Sequence, residues 1–103
     1  MDKILSLLGL AMRAGKVISG EDFCLEGIKN NEIKLLFLAN DAGVNTTKRI
    51  TDKAHYYNIF LINDYNTLEL SNAIGKNNRK VIGLTDLGFA KKIKEIRWFY
   101  GKR

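Results

Sequence analysis

Lys34-Leu35-Leu36-Phe37-Leu38-Ala39 is the stretch on which the fold turns. A strand with one wet face alternates apolar and polar residues, and a surface helix repeats its apolar residues every three to four. KLLFLA does neither. An unbroken apolar run too short for a helix reads as a strand buried on both faces, and Asn40-Asp41-Ala42-Gly43 follows it as a turn. Ile59–Ile62 and Val81–Leu84 have the same character, and Val17-Ile18 can form a further short strand.

The segments between these runs carry helical periodicity. Ile4, Leu7, Leu8 and Ala11 form one stripe, as in a helix laid on a core. Ser19 is predicted to cap a helix from about Gly20 to Asn30, with Asp22 three residues on in the manner of a capping box. On that helix Cys24, Leu25 and Ile28 can face the sheet, while Asp22 and Glu26, four apart, share the exposed side and Phe23 lies between the faces. Asn45 or Thr46 is expected to cap a third helix through about Tyr57. Asp64 or Thr67 would start a fourth, which Gly75 ends in a left-handed cap. Thr85 or Asp86 opens a last helix with Phe89, Ile93, Ile96 and Tyr100 on one stripe. Helices alternating with doubly buried strands predict an α/β fold, a three-layer α/β/α sandwich with a mostly parallel central sheet. Without proline, repeats or low-complexity tracts, residues 1–103 read as a single domain.

The bulk composition agrees with that reading. At 103 residues, 46% apolar and 27% charged, the chain is of ordinary globular character. Cys24 is the single cysteine, so no internal disulfide or cysteine metal cluster can form, and a reducing, cytoplasmic setting is expected. The apolar stretch Ile4–Met12 has Asp2 before it and Arg13 after it, the reverse of a secretory signal's charge order. No segment has the roughly 18 apolar residues of a membrane span. The net charge is +6, and residues 91–103 alone hold Lys91, Lys92, Lys94, Arg97, Lys102 and Arg103 against Glu95. A basic end of this kind is an electrostatic footprint for a polyanion, or else a solvated helix face.

Enzyme constellations are missing. His55 is the lone histidine, placed on a helix beside Tyr56 and Tyr57, with no nucleophile for it to serve. Neither a GxGxxG nor a GxxxxGK[ST] phosphate loop occurs. Asp41, Asp52, Asp64 and Asp86 are scattered among expected turns and caps, where aspartate serves the backbone. No cofactor and no metal site is expected. Anion binding has more to support it. Ala14-Gly15-Lys16 leads through a short strand to Ser19-Gly20 at a helix start, and a helix N-terminus offers unpaired N–H groups to a phosphate. Gly20 would allow close backbone approach and Lys16 would add a charge. Lys76-Asn77-Asn78-Arg79-Lys80 could make a basic, hydrogen-bonding rim, and Arg97-Trp98-Phe99-Tyr100-Gly101-Lys102-Arg103 interleaves aromatic and basic groups in a way that suits RNA. Each of these also has an ordinary structural explanation: a turn, a surface loop, a last helical turn closing the core.

The strings GKVISGEDFCLEGI (residues 15–28) and KLLFLANDAGVNTTKRITDKAHYYNI (residues 34–59) resemble the kink-turn RNA-binding ribosomal protein family, in its bacterial YlxQ-type branch. The likeness runs over about residues 3 to 97, and AxDAxxNTxKxITDK, here Ala39 to Lys53, is particular to that branch. The resemblance implies an RNA site at the start of the second helix, where a glycine is followed by an Asn-Glu pair and then by a lysine three residues later. Gly20 matches the glycine. Asp22, Phe23 and Glu26 stand at the other three positions, and two of them bring negative charge where a phosphate backbone would approach. With Lys16, read from the residues themselves, the candidate site comprises Lys16, Gly20, Glu21, Asp22, Phe23, Glu26, Asn78 and Arg79, and the resemblance implies that the turn from Asn40 to Thr46 borders it.

Together these readings give an RNA-binding protein whose partner is a structured RNA; ribosomal RNA as a candidate and a role tied to the ribosome are what the resemblance implies. The chain is expected to act as a monomer and apart from membranes. The competing reading is a protein-interaction adaptor that kept the fold and lost the kink-turn site. In that case Phe23 and the Trp98–Tyr100 cluster would be an apolar patch for a partner. A buried Phe23 would remove that residue from both readings.

Overall fold

The computed structural model describes residues 2–101, and the order of elements follows the alternation read from the sequence. Helix α1 (Lys3–Arg13) leads to strand β1 (Val17–Ser19), α2 (Glu21–Lys29), β2 (Leu35–Leu38), α3 (Val44–Tyr56), β3 (Phe60–Ile62), α4 (Thr67–Ile74), β4 (Val81–Leu84) and α5 (Leu87–Gly101). Lys102 and Arg103 lie outside the described residues, as does the Tyr100 side chain that the last stripe includes.

Strand β2 shows why KLLFLA decides the fold. All four of its residues are buried. Leu35 and Phe37 enter one core with Ile4, Leu8, Ile62, Leu70, Ile82, Leu84 and Ile93. Leu36 and Leu38, pointing the other way, enter a second with Cys24, Ile28, Ile33, Ile50, Ala54 and Val81. Helices α1, α4 and α5 therefore cover one face of the sheet and α2 and α3 the other, the expected three-layer α/β/α sandwich.

The sheet itself departs from expectation. Its order is β1-β4-β2-β3. Only β2 and β3 are parallel, with Leu36 beside Leu61, while β4 runs antiparallel to both β1 and β2. The expected mostly parallel sheet is thus a mixed one. The cause lies between β3 and β4. The eight-residue helix α4 is followed by a loop, residues 75–80, that folds back along it. The Arg79 N–H donates to Ser71 Oγ at 2.8 Å, so the chain re-enters the sheet at the end where β3 left it. An apolar run reports burial on both faces; the direction of the strand depends on which end the connection reaches.

Several caps also differ. Ser19 is the last residue of β1, and Gly20 takes the N-cap of α2 without a side-chain hydrogen bond. Gly43, rather than Asn45 or Thr46, caps α3. Asn66, rather than Asp64 or Thr67, caps α4 in a full capping box with Glu69. Gly75 ends α4 in the left-handed region, and Asp86 Oδ2 accepts the Phe89 N–H at 2.9 Å at the start of α5, both as expected. Asp2 caps α1 and also accepts the hydroxyl of Tyr65 at 2.9 Å, fixing that helix against the β3–α4 loop.

Helix α2 is set against the sheet by a notch. A Cβ on Gly83 of β4 would stand 2.5 Å from Ile33 Cδ1, and one on Gly27 of α2 would stand 3.0 Å from the same atom. Ile33, 3% exposed, fills the space left by both glycines. Filling an occupied core space costs about 1–3 kcal/mol, and removing a buried isoleucine about 2–5 kcal/mol. Gly83→Ala and Ile33→Ala should each destabilise the fold in urea titrations. The double variant should lose less than the two together, because the truncated residue makes room for the methyl. A double variant losing the full sum would contradict the notch.

Candidate nucleic-acid interface

Three helices begin at the same end of the sheet. β1 and β2 run in one direction and β3 parallels β2, so the N-termini of α2, α3 and α4 and the loop 75–80 leading into β4 all gather there. Local hydrogen bonds join them. The Gly20 N–H donates to the Val81 carbonyl at 2.9 Å, and the Ala39 N–H to the Lys80 carbonyl at 2.8 Å. The Arg79 guanidinium donates from Nε to Ser19 Oγ at 3.3 Å and from Nη1 to the Asn77 carbonyl at 3.1 Å. Ser19, read from sequence as a helix cap, instead holds the rim loop beside the start of α2.

Gly20 has φ 105° and ψ 145°. This region is nearly closed to residues with a side chain. Space is not the obstacle, since an added Cβ would meet the Phe23 ring only at an ordinary 3.6 Å. The glycine is needed for its backbone, and it leaves the first turn of α2 without a capping side chain, as Gly43 does for α3. Two neighbouring helices thus present first-turn N–H groups and the positive ends of their dipoles at one place. Phe23 stands over Gly20 with 72% of its surface exposed, and Val44, at the first position of α3, is 83% exposed.

Charges around this end are mixed. Glu21 is engaged: its carboxylate accepts Thr46 Oγ1 at 2.7 Å and pairs with the Arg49 guanidinium, locking α2 to α3. Asp22 and Glu26 share the exposed face of α2, as their spacing predicts. Lys80 Nζ donates to Asn78 Oδ1 at 2.7 Å, and Asn78 itself is left-handed at φ 53°. Asp41 accepts both the hydroxyl (2.6 Å) and the N–H (2.9 Å) of Thr67, tying the β2–α3 turn to the start of α4. A shallow groove of about 390 Å³ runs between them, lined by Asp41, Thr67, Leu68, Lys76, Asn78 and Lys80.

Most of the site residues named from sequence therefore meet. Gly20, Glu21, Asp22, Phe23 and Glu26 lie on the first turns of α2, and Arg79 and Asn78 border them. Lys16 does not join them. It precedes β1, and its carbonyl accepts the Thr85 N–H beyond the far end of β4, about 13 Å from Gly20 along an extended strand. Arg49 and Thr67 were not among those residues, and Asp41 and Thr46 entered only through the bordering turn from Asn40 to Thr46. Their contacts reach α2 and α4 across 25 or more positions, a pairing that no local pattern announces.

Other candidates have structural explanations. Cys24 is buried, with its thiol pushed up to about 12 by loss of solvation, and is a small core residue. His55 is exposed in the last turn of α3. Asp64 pairs with Arg97, while Asp52 lies within α3 opposite Lys48 rather than at a turn. Among the described residues no group of three or more His, Cys, Asp or Glu side chains could hold a metal ion, and no helix is long and apolar enough to cross a membrane.

These features define a class: small three-layer α/β/α domains with a mixed four-stranded sheet, at one end of which the helix N-termini collect, those of α2 and α3 without side-chain caps. The chain belongs to the ribosomal protein L7Ae/L30e/S12e/Gadd45 family, which it matches over residues 2–94. It is 47% identical over 94 residues to the RNA-binding protein YlxQ of Enterococcus faecium, covering 91% of this chain and 90% of that one. Against the RNA-binding protein YlxQ of Bacillus subtilis strain 168 it is 46% identical over 87 residues, covering 84% and 87%. The YlxQ-type resemblance read from the sequence is thereby borne out. A solved protein of unknown function from Bacillus halodurans C superposes with TM-score 0.89 at 40% identity, over 93% of this chain and 97% of that one. The 15.5kD RNA binding protein of Giardia lamblia shares the fold, with TM-score 0.80 at 13% identity over 93% and 86%. Neither the family description nor these names is that of an enzyme.

The Asp41 carboxyl is held below the usual carboxylate range, first by the Thr67 hydroxyl and then by the Thr67 N–H, with a smaller contribution from Lys80. A lowered folded-state value favours the charged form. Its contribution to stability is therefore present at neutral pH and lost as pH falls through the folded midpoint. Replacing Thr67 by valine should move the Asp41 midpoint upward in a carboxyl-carbon NMR titration. An unmoved midpoint would mean that the hydroxyl is not its cause.

Proposed function

We propose that this protein binds structured RNA at the sheet end formed by the first turns of α2 and α3 and the 75–80 loop. The single observation that carries the reading is the Gly20 opening of α2, a backbone state reserved for glycine, set against the Arg79–Ser19 rim. Phosphate oxygens would take the uncapped N–H groups, Arg79 and Lys80 would supply charge, and a splayed base would stack on Phe23. YlxQ relatives named as RNA-binding proteins, nearly half identical over most of the chain, support the same reading. A ribosome-linked structured RNA in the cytoplasm, bound by a monomer, is the setting we assign to it.

Asp22, Phe23 and Glu26 stand where the family resemblance places Asn, Glu and Lys. The preferred RNA therefore differs from a standard kink-turn: an acceptor-only carboxylate replaces an amide, and a second carboxylate faces phosphate. The adaptor reading retains one specific support, the exposure of Phe23 and Val44 in the first turns of α2 and α3.

Filter-binding titrations at two salt concentrations should compare a standard kink-turn RNA, a structured ribosomal RNA fragment and a plain duplex. Binding should fall steeply with salt and favour a structured RNA over the duplex. Phe23→Ala should weaken it by about 1–3 kcal/mol, the range for one stacked base. Asp22→Asn together with Glu26→Lys should shift preference toward the kink-turn. Equal affinity for duplex and structured RNAs, unaltered by Phe23→Ala, would contradict the proposal and favour the adaptor.

A further inference from the structure

The proposed RNA surface leaves the most basic element of the chain unused. Helix α5 buries Ala90 and Ile93 in the core shared with α1 and α4, on the opposite layer from α2. Its outward side carries Lys91, Lys92 and Lys94, all exposed, with Glu95 the single acid between Leu87 and Phe99. Among the described residues none of these lysines forms a salt bridge, whereas Arg97 is spent in a two-point contact with Asp64. Lys91, Lys94 and Trp98, at i, i+3 and i+7, share one stripe, and Trp98 is 67% exposed. Lys94 Nζ stands 5.6 Å from the ring centroid of Phe60, an exposed residue of the edge strand β3. Basic groups interleaved with exposed rings are the makings of a nucleic-acid surface, on which phosphates pair with ammonium groups and bases stack on aromatic faces.

We infer that α5, with Phe60 at the β3 edge, is a second RNA-contact surface, independent of the α2 end and engaging a different segment of RNA. The two surfaces lie on opposite layers of a molecule about 30 × 30 × 26 Å across, so RNA seated on α2 does not also cover α5. One protein thereby holds two RNA segments together. A membrane fits the helix poorly. Ala90 and Ile93 are turned into the core, and the exposed Leu87 and Trp98 stand at opposite ends of the helix with Lys91 and Lys94 between them, so no continuous apolar face is offered to a bilayer.

The test uses the full chain and its Lys91→Ala, Lys92→Ala, Lys94→Ala triple variant, whose exposed changes should leave the circular-dichroism melting curve in place. A structured RNA is immobilised and loaded with protein, and capture of a second, fluorescent RNA duplex is measured at low salt. Wild type should capture the duplex. The triple variant should still load on the first RNA but lose capture, and its log-affinity against log-salt slope for the duplex should be shallower by about 2 to 3. Capture equal to wild type would overturn the inference, as would binding of anionic lipid vesicles without duplex capture. Phe23→Ala measured in parallel separates this inference from the α2 site: loss of loading there with duplex affinity intact leaves α5 standing, and the reverse pattern leaves only the α2 site.

Discussion

The placement of α2 depends on Ile33. The side chain closes a gap between a helix and a strand that each present a glycine to it, so α2 lies closer to β4 than any larger pair would allow. Everything at the sheet end follows from that approach. Gly20 bonds to Val81, Ser19 receives Arg79, and Glu21 reaches Thr46 and Arg49. A helix displaced outward by even one methyl would loosen all of these contacts together, because interiors packed this tightly pass strain on rather than absorb it.

Electrostatics then divides the molecule. At the sheet end, charges are numerous but largely spoken for: Glu21 by Arg49, Asp41 by Thr67, Lys80 by Asn78. Such an arrangement orients groups and sets the shape of a ligand more than it attracts one. Helix α5 is the contrary case, an excess of positive charge with few internal partners and a strong long-range pull on a polyanion. Orientation at one surface and attraction at the other are complementary tasks for a protein of this size.

Much of this was legible in the sequence because burial and periodicity are local. The doubly buried run at Leu35–Leu38, the stripe Ile4-Leu8-Ala11, the left-handed stop at Gly75 and the exposed pair Asp22 and Glu26 all rest on residues close together in the chain. What escaped was non-local. The direction of β4 depends on the loop after α4 folding back on Ser71, and the Glu21–Arg49 link spans 28 positions. Lys16 looked like a neighbour of Gly20 because four residues is a short distance in sequence. In a strand those four residues span the sheet. Ser19 was misread for a related reason: a serine before a helix satisfies the capping rule, but here an arginine sixty residues away claims its hydroxyl.

The central claim is that the end of the sheet around Gly20 is where RNA is recognised. Backbone amide NMR during titration with a structured RNA tests it most directly. The account predicts that the first and largest shifts fall on Gly20 to Phe23, Val44 to Arg49 and Asn77 to Lys80, with α5 responding as a separate set. Shifts confined to the groove of about 630 Å³ between α1 and α4, around Leu10 and Ala73, or an unperturbed Gly20 at saturation, would contradict it.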